Sequence, residues 1–99
     1  MVIFPLDVSE TASSGTWSVN TPKLESRIIK QIIIEAATNT TTFDFDIQDE
    51  KNLTVFNTET KITGKLLEEV SIPTSGIYTL RVYNSSADEA FVGRIMIKE

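Results

Sequence analysis

The sequence predicts an all-β fold, a two-sheet antiparallel β-sandwich with Greek-key or jelly-roll-like wiring and seven to eight short strands, as a single domain over residues 1–99. Three observations predict it. Apolar residues recur at alternate positions in short runs, most cleanly in Phe43-Asp-Phe45-Asp-Ile47. These runs are separated by clusters of Ser, Thr, Asn, Asp and Gly, the residues that favour turns. Finally, the stretch from Ile72 to Tyr83 combines Pro-Thr-Ser-Gly with a period-two strand. It places Tyr78 where Greek-key sandwiches use a tyrosine, near the start of a central strand, to return its hydroxyl to upstream backbone. Leu80 stands where disulfide-bridged sandwiches put a cysteine.

In chain order, Val2, Phe4, Leu6 and Val8 share one parity of a half-buried strand, and Pro5, with no N–H to give, assigns it to a sheet edge. Ser9 to Gly15 is small and polar and reads as a surface loop. Trp17 and Val19 resume the alternation until Asn20-Thr-Pro22 breaks it. Arg27 to Ala37 admits two readings. Leu24, Ile28, Ile32 and Ala36 fit a helical stripe, but five isoleucines between Ile28 and Ile34 favour a strand, because β-branched side chains pack well on a pleat and lose rotamer freedom in helices. As a strand it carries Ile28, Ile32 and Ile34 on one face and Ile29 and Ile33 on the other, which suits a central position or an interface.

After a polar turn at Asn39, Phe43, Phe45 and Ile47 must face inward, since burying Asp44 and Asp46 unpaired would cost several kcal/mol each. Gln48 to Asn52 is a hairpin loop by composition, and Leu53 and Val55 are expected inward beyond it. Lys61 to Ile72 reads as a strand interrupted near Gly64 or Glu68-Glu69. Asn84 to Glu89 is a turn. In the last strand Phe91, Ile95 and Ile97 share a side with Gly93, which leaves room for a neighbouring ring such as that of Tyr78.

Composition excludes more chemistry than it suggests. Cysteine and histidine are both absent, which removes disulfides, thiolate chemistry, the commonest general base and the commonest transition-metal ligand, so no enzyme is expected. A formal charge of -5 argues against a nucleic-acid partner. No apolar run approaches the ~20 residues of a spanning helix, and Met1 to Pro5 lacks the basic start of a secretory signal, so neither a membrane nor export by that route is expected. Asp44, Asp46, Asp49 and Glu50 form the one carboxylate cluster with the oxygen ligands Ca²⁺ prefers. Its spacing misses the calcium-loop template at Gln48, Asp49 and Val55, so a solvated strand face running into an acidic turn is the expectation, with no metal and no cofactor.

Two surfaces are candidates for binding. If Tyr78, Leu80 and Val82 point inward, then Ile77, Tyr83, Val92 and Met96 point outward beside Thr79, Arg81, Arg94 and Lys98, a mixed apolar and basic patch suited to docking a protein. It would serve unless the N-terminal strand or Ile29 and Ile33 cover it. The alternative is a glycan platform built on Trp17 and Tyr83.

The strand Gly76-Ile-Tyr78-Thr-Leu80-Arg-Val82 resembles the recurring strand of small bacterial pre-peptidase C-terminal-type domains, over the run Phe43 to Glu99. That resemblance implies a non-catalytic sandwich with protein-docking or carbohydrate roles. The cysteine-free, Ile-, Asn- and Thr-rich character of the whole chain is similar to that of accessory virion proteins of tailed bacteriophages. The functional expectation is therefore a structural protein docking onto a larger assembly, a capsid decoration, cement or tail protein located in the virion. Its partner would be a major capsid or tail protein or a second copy of itself in a homo-oligomer. The alternative is a carbohydrate-binding module in the cytoplasm or at a cell surface.

Overall fold

Except in the hairpin between Thr42–Gln48 and Thr54–Asn57, and the short Ile62–Thr63 that also joins the first of these, extended runs pair with strands remote in sequence, and the chain crosses repeatedly between two layers. The computed structural model describes residues 3–99, so the strand position expected for Val2 lies outside the described residues. The strands are β1 Ile3–Ala12, β2 Trp17–Asn20, β3 Leu24–Ala36, β4 Thr42–Gln48, β5 Thr54–Asn57, β6 Ile62–Thr63, β7 Lys65–Gly76, β8 Thr79–Tyr83 and β9 Glu89–Lys98. The first sheet runs β1-β9-β3-β7 and the second β2-β8-β4-β5, with β6 pairing β4 off that path. Every pairing is antiparallel. The chain changes sheet at every step except along β4, β5 and β6, which is jelly-roll wiring. The ninth strand beyond the expected eight arises because Lys61 to Ile72 divides at Gly64 into β6 and β7.

The core forms where the two inner faces meet. Ile29, Ile32, Ile34, Ile95 and Ile97 of the first sheet pack against Phe43, Phe45, Ile47, Leu80 and Val82 of the second, all at 0% exposure. Burying one such side chain stabilises by about 1.5–3 kcal/mol. Phe91 meets Phe43 edge-on at 5.1 Å, the geometry the ring quadrupoles favour.

The tyrosine corner forms as expected. The Ser75 N–H donates to the Tyr78 hydroxyl at 2.9 Å, and the ring is buried. Thr21, expected only as part of a break, ties the same residue from another strand connection. Its N–H donates to the Tyr78 carbonyl at 2.7 Å, and its Oγ1 accepts from the Tyr78 N–H at 3.0 Å. Pro5 lies on an edge strand and β8 is central, both as expected.

Elsewhere local alternation misleads. Arg27 to Ala36 is strand and Ala37 lies just beyond its end, which disposes of the helical alternative, but the pairing of β3 with both neighbours shifts register between Ile29 and Gln31. The bulge reverses the alternation, so Ile29 joins Ile32 and Ile34 in the core while Ile28, expected with them, is only half-buried. Ser9 to Ala12 is not loop: β1 continues along β9 as far as the Ala12–Glu89 pair, leaving only a 3-10 turn at Ser13–Gly15. A register shift between Ile47 and Gln48 turns Phe56 inward against Phe45 and leaves Leu53 and Val55, expected inside, at 61% and 38% exposure.

Two glycines are set by close approach. Gly64 carries the chain from one sheet to the other at φ +74°, and a Cβ there would lie 2.5 Å from the Asn39 carbonyl oxygen. A Cβ on Gly93 would lie 2.7 Å from Ile34 Cδ1, so the neighbour it admits is Ile34 rather than the ring of Tyr78.

Candidate functional site

The four residues expected to form one docking patch lie on different parts of the molecule. Because β8 belongs to the second sheet and β9 to the first, Tyr83 faces out on one side of the sandwich and Val92 and Met96 on the other. Ile77, 39% exposed, sits in the turn between β7 and β8. The Asn84 to Asp88 connection makes this separation. Asn84 and Asp88 take positive φ, the Ser85 N–H donates to the Gly15 carbonyl, and the Asp88 N–H donates to the Ala12 carbonyl. Those bonds carry the chain across the end of the sandwich instead of folding it into a hairpin.

The outer face of the first sheet is the more apolar of the two. Cross-strand register aligns Leu67 and Ile33 in one row with Arg94 and Asp7, and places Met96 beside Gln31 and Pro5 in the next. Leu67 is 58% exposed, Val92 55% and Ile3 50%. A shallow hollow opens over Gly93 between Ile33, Val92, Ser9 and Glu35. The N-terminal strand does not cover this face, since β1 lies beside β9 in the same sheet, and Ile29 is in the core. Arg94 and Asp7 pair across the strands at 2.7 Å in full solvent, and the hydrogen bond to Asp7 holds the guanidinium above its ordinary value.

The outer face of the second sheet is polar and internally committed. Arg81 grips Asp46 with both prongs, Nε to Oδ1 at 2.9 Å and a terminal nitrogen to Oδ2 at 2.5 Å. Asp46 is 3% exposed, so it is buried but paired, the condition on which a carboxylate tolerates burial. These hydrogen bonds outweigh desolvation and raise the Arg81 pKa above its ordinary value. The same guanidinium stands 5.0 Å from the centre of the Tyr83 ring. Nearby, the Thr79 hydroxyl donates to Asn20 Oδ1 and the Asn84 amide to Asp44 Oδ2, each at 2.9 Å.

The glycan platform loses one of its two rings. Trp17 is 5% exposed and packs 6.2 Å from Phe91 inside the sandwich, because its parity on β2 is the inner one. Its Nε1 has no hydrogen-bond partner among the described residues. Tyr83 stays on the surface, with Arg81 over it.

The acidic cluster is divided among separate tasks. Asp46 holds Arg81 and Asp44 holds Asn84, while Asp49 Oδ1 accepts from the Lys51 and Leu53 N–H groups to shape the β4–β5 turn. Glu50 Oε1 accepts from the Ile77 N–H at 2.7 Å and occupies the space where a Cβ on Gly76 would stand. Among the described residues no group of three or more acidic, histidine or cysteine side chains is arranged to hold a metal. The Asp46–Arg81 pair and the Glu50 latch had no sequence signal beyond charge, because their partners lie 35 and 27 residues away.

No family model matches the chain, and no curated protein matches it. Its fold resembles the pre-peptidase C-terminal domain of collagenase from Bacillus anthracis, with a TM-score of 0.63 and 10% identity over 92% of this chain and 87% of that one. The periplasmic inhibitor of g-type lysozyme from Aeromonas hydrophila shares the fold at a TM-score of 0.50 and 11% identity, over 95% and 85% of the two chains. The NLP core of Drosophila, described with pentamer formation and histone binding, does so at 0.50 and 15% identity, over 95% and 98%.

Proposed function

We propose that this chain is a non-enzymatic structural protein that docks through the outer face of its first sheet onto a larger assembly, as a virion accessory protein of the capsid-decoration, cement or tail type. The observation that carries the reading is the exposure of Leu67, Val92 and Ile3 on the outer face of one sheet, beside the half-buried Ile28, Ile33 and Met96. Exposed apolar area of this kind marks interaction surfaces. The polar face offers no comparable platform, since its ionic groups already satisfy one another and Tyr83 stands there without the second ring of the glycan alternative.

The test is co-sedimentation of the purified protein with purified tailed-phage capsids and tails. Binding that disappears when Leu67 and Val92 are both changed to Lys supports the reading. Failure to co-sediment with either particle overturns it, and reproducible glycan-array binding lost in Tyr83→Ala would install the carbohydrate module instead.

A further inference from the structure

The seam between β5 and β7 combines three features. The first is a free strand edge. Among the described residues β7 pairs only with β3, and from Lys65 to Glu69 that pairing is regular, before the irregularity ahead of Ile72 and then Pro73 interrupt it. An extended segment could therefore add to a run of five residues and no further. By contrast, β2 and β5 are four-residue edges.

The second feature is a carboxylate where the pattern asks for an apolar residue. Glu68 pairs in register with Ile32, which is fully buried, so it stands on the inner parity of its strand. An inward-pointing charge on an edge strand opposes pairing with another copy of the same edge, which would bring Glu68 and Glu69 close to their counterparts. The third is a hollow beside it, lined by Phe56 and Ile62 with Glu59 and Glu68, and by no cation. Neither carboxylate has an ion-pair partner among the described residues.

We infer that the β7 edge binds an extended segment of a partner protein, with a lysine or arginine inserted into the hollow between Phe56, Ile62, Glu59 and Glu68. The apolar stem of such a side chain lies against Phe56 and Ile62, and its charged head meets the two carboxylates. The partner's backbone continues the first sheet beyond Lys65 to Glu69. The feature that repels a second copy is thus the one that selects a cationic strand.

Isotopically labelled protein titrated with two synthetic peptides tests this, one of alternating Thr and Val with a central Arg and one with Glu in its place. The Arg peptide is expected to shift the amide resonances of Leu66 to Glu69, Phe56 and Ile62 and to slow hydrogen exchange along β7. Glu68→Gln, an exposed change that leaves the fold intact, should weaken it roughly tenfold. Equal response to both peptides, shifts confined to the outer face of the first sheet, or no response at millimolar peptide would overturn the inference. Concentration-dependent shifts of the same residues without peptide would overturn it as well, by showing that the edge pairs with itself.

Discussion

Each outer face of this sandwich carries one cross-strand Arg–Asp pair, and the two pairs do different things. Asp7 and Arg94 are register partners on β1 and β9, just as Asp46 and Arg81 are on β4 and β8. The first pair stands in water with both side chains more than half exposed, whereas Asp46 is almost wholly buried beneath its arginine. Solvent screens the first, while the second is needed because one partner cannot return to water. An ion pair on the apolar face is therefore ornament to the surface, and one on the polar face is part of the structure.

The sharpest way to break this contrast is Arg81→Ala. It strands Asp46, and it should cost about 2–3 kcal/mol in urea unfolding, the low end for a buried pair because Arg81 itself is partly solvated. Arg81→Lys keeps the charge but loses the two-pronged grip and the stacking on Tyr83, so about 1 kcal/mol is expected. The pH dependence has a definite sign. A guanidinium raised in the folded state contributes stability that is complete below its unfolded value and is lost only as pH rises through the folded one. The difference between wild type and Arg81→Ala should accordingly show no fall from arginine titration between neutral and moderately alkaline pH.

On the other face, Leu67→Lys should change stability by no more than about 0.5 kcal/mol, since its side chain is already in solvent, while weakening docking in the sedimentation assay. A large loss of stability there would mean that the face is part of the core. The smallest effect belongs to Arg94→Gln. Unfolding curves in low and high salt should superimpose on those of the wild type, and a measurable difference would remove the distinction between the pairs.

The inner residues of β4 and β9 and the tyrosine corner were legible in the sequence because each is specified by neighbours a few positions away. Phe43, Phe45 and Ile47 alternate with aspartates that could not go inside unpaired, and Tyr78 meets Ser75 three residues upstream. What was not legible depends on distant partners. The bulge in β3 moved Ile29 rather than Ile28 into the core, and no local pattern marks where a register slips against β7 and β9. Ser9 to Ala12 became strand because β9 was there to pair with it. The docking patch failed for the same reason: alternation tells which side chains share a face of one strand, but not which sheet that strand joins.

Among the described residues the first strand has a single neighbour in its sheet, and that neighbour is β9, the strand furthest from it along the sequence. During synthesis β1 must wait, unpaired, until β9 has left the ribosome, whereas β4 and β5 can close early as an adjacent hairpin. Such a chain should fold late and slowly for its size, in milliseconds to seconds rather than microseconds. Any ribosomal pause before Glu89 would present β1 and the isoleucine-rich β3 to whatever sticky surface happens to be nearby.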